Sequence, residues 1–165
     1  MTRKADFNAE DWSLILEGPP LAALRVALAA RGGTIREMLS ITKAYAEERE
    51  NHGNSELLDA IVSDQPSVKP NRYANEEALQ TKGVARLSEA LAALERTGTS
   101  IEVTDYKRFT YALAKRVARA HKEGGFLGIG GEEISDGERE ALAEVAAALS
   151  YDPPAESVDP GEPRS

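Results

Sequence analysis

The sequence predicts an all-α fold, and three observations carry that prediction. Ala and Leu are plentiful while aromatic residues are only 5% of the chain, and such side chains lose little entropy in a helix. Apolar residues recur at steps of three and four through nearly every segment, the spacing of one helical face. Proline falls at the expected segment boundaries, and no alternating strand pattern stands out; Thr99–Thr104 is the only short candidate. The expected architecture is a single-domain bundle of about six or seven helices.

The elements follow in order. Asn8 is a good cap for a first short helix over 9–16, with Glu10 and Asp11 in its first turn. Gly18-Pro19-Pro20 is read as its end, and a second helix opens at Pro20 with Leu21, Leu24 and Leu28 on one face. Gly32-Gly33 closes that helix. Thr34 and Glu37 form a capping-box pattern for a third, with Ile35, Met38, Thr42 and Tyr45 along one face. Ser55 caps a short fourth helix carrying Leu57, Leu58, Ile61 and Val62. Residues 64–72, with Pro66 and Pro70, form the main internal linker.

A fifth helix spans about 75–96, with Val84, Leu87, Leu91 and Leu94 inward. After a turn at 97–100, a sixth covers about 104–122. Its apolar stripe is Tyr106, Phe109, Leu113, Val117 and Ala120, and Arg108, Lys115, Arg119 and Lys122 lie nearly opposite. A glycine-rich loop at 124–131 follows. Ser135 and Glu138 then form a second capping box for a seventh helix, with Leu142, Val145 and Leu149 inward. From Tyr151 on, Pro153, Pro154, Pro160 and Pro163 predict a disordered tail over 151–165.

The helical domain is therefore 1–150, with two possible related halves, 9–64 and 74–150. Arg25-Val26-Ala27-Leu28-Ala29 precedes Gly32-Gly33 and the Thr34 box; Arg116-Val117-Ala118-Arg119-Ala120 precedes Gly124-Gly125 and the Ser135 box. Any α-hairpin with a glycine stop and a capped second helix would share this layout. In layout, 20–150 resembles the tellurite-resistance TerB-like helical proteins, which are acidic, all-α and built of two related halves. That resemblance implies a stress-related role. The phrase Lys122 to Gly131, followed by Ile134, Ser135 and Glu138, also resembles a group of uncharacterised small bacterial helical proteins with a GGFLGIGG-type loop. Where the usual TerB-type loop has an Asp-Gly pair, this chain has Glu123-Gly124 and a longer loop.

Composition excludes some chemistry. The chain has no cysteine, so disulfides, thiolate nucleophiles and thiolate metal sites are ruled out. No apolar run reaches the roughly 18 residues of a spanning helix, and no leader-like apolar segment follows Met1, so the expectation is a cytoplasmic protein with no membrane partner. The net charge of −8 disfavours nucleic acid, and the basic stripe of the sixth helix is read as a solvated face or as the partner of the acidic seventh.

His52 and His121 sit at expected helix ends, where they suit the helix dipole better than catalysis. Neither follows a glutamate at the spacing of a di-iron bundle site. No P-loop and no Gly-x-Ser-x-Gly elbow occurs. The expectation is therefore a non-enzymatic protein without a cofactor, acting through a protein partner or by self-association. Phe126, Leu127 and Ile129, set among five glycines, are the candidate partner-binding residues. The alternative is a divalent-cation (calcium) sensor using Glu123, Glu132, Glu133, Asp136 and Glu138, although EF-hand spacing is absent and acidic residues also suit a helix start. The sequence names no small-molecule ligand.

Overall fold

The fold was obtained as a computed structural model. It describes residues 1–29, 34–50, 55–68, 73, 75–122 and 134–154, without the side chains of 34–40, 76, 121 and 122. Among these residues there are six α-helices and one 3-10 turn, Lys4–Asp6, and no strand. The helices are α1 (Ala9–Ala29), α2 (Thr34–Glu50), α3 (Glu56–Ser63), α4 (Glu76–Thr97), α5 (Ser100–Lys122) and α6 (Asp136–Ala148). The all-α single-domain bundle expected from the sequence is what the chain forms.

Local chemistry starts most of these helices where the sequence places them. The Asn8 side chain accepts the Asp11 N–H at 2.8 Å, Ser55 Oγ accepts the Leu58 N–H at 3.2 Å, and Asn75 Oδ1 accepts the Ala78 N–H at 2.8 Å. Each satisfies a donor that has no partner inside its helix. The Thr34 and Glu37 side chains lie outside the described residues.

Two expected boundaries are corrected. The first and second expected helices are one: α1 runs unbroken through Gly18, Pro19 and Pro20. Proline in a helix interior removes an N–H and leaves the carbonyl four residues earlier without its donor. For Pro19 that carbonyl belongs to Ile15, and Tyr106 of α5 supplies the missing donor: its hydroxyl bonds the Ile15 oxygen at 2.9 Å. Gly18 leaves the space, since a Cβ there would lie 2.0 Å from Tyr106 Oη.

The second correction concerns α5, which begins at Ser100 rather than Thr104, so that 100–104, read as part of a turn and a candidate strand, is helical. Thr99 and Glu102 form a third capping box. The Thr99 N–H donates to Glu102 Oε2 at 2.8 Å, and the Glu102 N–H donates to Thr99 Oγ1 at 3.3 Å. The same carboxylate receives the Thr2 N–H at 2.7 Å and the Thr2 hydroxyl at 2.6 Å, which ties the start of the chain to α5. Burial raises the Glu102 pKa, but the hydrogen bonds from Thr2 and Thr99 outweigh it and bring the pKa down to about 2.

With its two parts joined, α1 is also long and apolar enough to cross a membrane by length and composition, at a mean hydropathy of 1.2. This corrects the expectation that no segment would pass that test. Yet 61% of the apolar window is buried inside the fold, because α1 is the central helix. It packs most extensively on α4 and α5, and also meets α6 and α2. Elements of both expected halves therefore share one core.

That core takes Ala22, Ala23 and Val26 from α1, Leu87 and Leu94 from α4, Leu113 and Val117 from α5, and Val145 and Leu149 from the α6 end. Leu24 and Leu28, expected inward, are only half-buried; on α2, Ile41, Ala44 and Tyr45 face the core while Thr42 is exposed. Tyr45 meets Phe109 edge-on at 5.4 Å between ring centroids. Burial pushes the Tyr45 and Tyr106 pKa values up, so both phenols stay protonated in the core. Glu17, only 3% exposed, is held at 3.0 Å by Arg86 of α4, a partner that a buried carboxylate needs.

Candidate functional site

The described surface holds an open groove between α5 and α6, and local sequence builds each wall. One wall begins at the capping box that opens α6. Ser135 Oγ accepts the Glu138 N–H at 3.3 Å, and Glu138 Oε2 accepts the Ser135 N–H at 2.8 Å and its hydroxyl at 2.7 Å. This sets the direction in which α6 leaves the preceding chain. Leu142 and Val145 then turn inward against the core, and Ala143 and Ala146 line the outer side.

The second wall comes from the end of α6. Ser150 adopts φ 45°, the left-handed conformation usually left to glycine. The Ser150 N–H bonds the Ala147 oxygen at 3.0 Å and the Tyr151 N–H bonds the Ala146 oxygen at 2.9 Å, the paired bonds of a Schellman stop. The chain reverses there, and Tyr151 packs on Tyr111 of α5 with ring centroids 5.3 Å apart. Pro153 and Pro154 follow as a rigid lip. Residues 151–154, expected to begin a disordered tail, are therefore placed by the Schellman turn and the tyrosine pair; 155–165 lie outside the described residues.

The resulting groove has a volume of about 570 Å³. Tyr111, Ile134, Leu142, Ala146 and the two prolines make its surface largely apolar, and its cations are Lys115 of α5 and Arg139 of α6. The Arg139 guanidinium is held at the rim by Asp136 at 2.7 Å and by the Ile134 carbonyl at 2.8 Å. Such a surface can seat an apolar side chain and attract a neighbouring carboxylate. The described residues of its lining include no serine, histidine or carboxylate.

Of the residues singled out in the sequence, Phe126, Leu127, Ile129, Glu123, Glu132 and Glu133 lie outside the described residues. Asp136 and Glu138 are described and have separate tasks. Asp136 is an exposed carboxylate paired with Arg139, whereas Glu138 is 2% exposed and caps α6 through one oxygen, its Oε1 having no hydrogen-bond partner. Among the described residues no three His, Asp or Glu side chains are grouped to hold a metal ion.

Three basic residues of α5 have described partners outside α6. Arg116 grips Glu47 of α2 with both terminal nitrogens, Lys107 meets Glu95 of α4 at 3.4 Å, and Arg108 meets Asp105 of its own helix at 2.9 Å. Helix α6 is itself paired with α1, through Arg25 and Glu144 at 2.8 Å.

Sequence reasoning missed Tyr111, Pro153 and Pro154. The available signal was Tyr151, an apolar residue six positions after the core residue Val145, the spacing of the contact that accompanies a Schellman stop. Compared with known proteins, the chain matches no family model, no curated protein and no solved structure.

Proposed function

We propose that this chain is a non-enzymatic helical protein that acts by binding a protein partner, and that the groove between α5 and α6 receives it. The observation that supports this reading is the combination of an apolar groove of about 570 Å³ with Lys115 and Arg139 on a chain of net charge −8. Two cations gathered beside apolar surface favour a segment that brings an apolar anchor and an adjacent carboxylate. The stress-related setting rests on the TerB-like resemblance alone.

The test uses a photo-crosslinking residue at Ala143, an exposed groove position. In its native cell it should trap one recurrent protein. That protein, purified, should bind the wild type and lose at least about tenfold in affinity with Lys115→Glu or Tyr111→Ala. Equal binding by both variants would exclude the groove. If the trapped protein is a second copy of this chain and light scattering shows a dimer, self-association is the mode of action.

A further inference from the structure

A smaller pocket lies between α1, α2 and α4, and it differs from the groove in kind. Its volume is about 240 Å³, it is more enclosed, and the described residues of its lining include no charged one. Pro20 and Leu24 of α1, Ile41 of α2 and Leu79 of α4 form the walls; Pro66 and Val68 close one side.

That closing side is a strap of extended chain after α3. Its side chains alternate: Asp64, Pro66 and Val68 are half-buried, while Gln65 and Ser67 are exposed. The strap is anchored at its start. Arg49 of α2 donates to the Val62 carbonyl and, at 3.1 Å, to the Asp64 carbonyl, and Lys4 meets the Asp64 carboxylate at 3.9 Å. The walls are stiff as well, since Pro20 and Pro66 have fixed rings and Ile41 is buried against the core. The pocket is thus preformed by elements held elsewhere.

The pocket is a recess in the surface: Leu24, Pro66, Val68 and Leu79 are half-buried, Thr42 is exposed, and Ile41 at the edge of the core is buried. Water is a poor occupant, because an ordered water needs about two to four polar partners, and Thr42 is the only polar residue among the described lining residues. A charged group would lose hydration there, and none of the described lining residues offers it a counter-charge. A dry apolar cavity of about 150 Å³ already accepts benzene, so the larger space here suits a bicyclic ring or a molecule of similar bulk.

We infer that this pocket is a binding site for a compact, neutral, hydrophobic small molecule. The site is independent of the α5–α6 groove and of the partner proposed for it.

The test is a methyl NMR titration of the full chain with 2-naphthol as the probe and 2-naphthoate as its charged counterpart. 2-Naphthol should shift the Leu24, Ile41, Val68 and Leu79 methyl signals saturably, and 2-naphthoate should bind at least about tenfold more weakly. Leu79→Trp, which fills the pocket, should weaken 2-naphthol binding at least about tenfold without lowering Tm. If that variant fails to fold, Val68→Phe fills the same space from the strap. The inference is overturned if those four residues show no saturable shift, if the shifts centre elsewhere, or if a folded pocket-filling variant binds as the wild type does.

Discussion

The Tyr106 hydroxyl stands where the backbone of α1 lacks a donor: it bonds the Ile15 carbonyl at 2.9 Å, the oxygen that Pro19 in the same helix leaves without a helical partner. A side chain 91 residues away in sequence thus completes the ladder of the central helix. Gly18 belongs to the same arrangement, because only a residue without a Cβ lets the phenol in. Tyr106→Phe should therefore cost about 1–3 kcal/mol, the penalty of a buried carbonyl left unpaired. Gly18→Ala should cost about 3 kcal/mol by overpacking. The two losses should not add, since removing the hydroxyl removes the atom that the new methyl meets; denaturant titrations of the single and double variants measure that coupling. Additive losses would mean that the two sites act independently.

Glu102 links stability to pH. Its folded pKa, about 2, lies below its ordinary value of 4.5, so its contribution is fully present above about pH 4.5 and is lost as pH falls from there toward 2. Glu102→Gln should lower Tm at neutral pH, and the gap from the wild type should narrow steadily below pH 4.5. Thermal melts of both proteins across that range check it; a gap that does not change with pH would show that the charge on Glu102 is unimportant.

The Glu17–Arg86 pair should show the asymmetry of buried charge. Arg86→Ala leaves a carboxylate that is 3% exposed without its guanidinium, which should cost about 3 kcal/mol. The double variant Glu17→Leu/Arg86→Met should recover most of that loss, because no ion is then left in the interface. Urea denaturation distinguishes the two outcomes.

At the start of α6, Ser135→Ala removes the acceptor of the Glu138 N–H and the hydroxyl donor to its carboxylate, and should cost about 1 kcal/mol. An unchanged denaturation midpoint would show that the cap contributes nothing to stability.

At the other end of α6, Ser150→Gly should raise stability by about 0.5–1 kcal/mol, because the backbone there already has a positive φ that glycine adopts at no steric cost. Tyr151→Ala should do the opposite and release the Pro153–Pro154 lip, seen as loss of contacts between Tyr111 and the chain after α6 in NMR spectra.

Sequence by itself determined the helical class, the capped starts of α1, α3 and α6, and the buried stripes of α5 and α6. Those features depend on a side chain and a backbone group about three residues apart, or on a repeat of three and four, and both are readable along the chain. Tertiary structure decided what local rules forbid or leave open. α1 passes through Pro19 because distant Tyr106 supplies a donor; α5 starts at Ser100 around a carboxylate that also holds Thr2. Of the candidate site, the capping box at Ser135 and Glu138 and the inward face of α6 were legible. The groove itself was not, because it exists only once Ser150 turns the chain back and Tyr151 finds Tyr111, and a contact between residues so far apart leaves no periodicity to read.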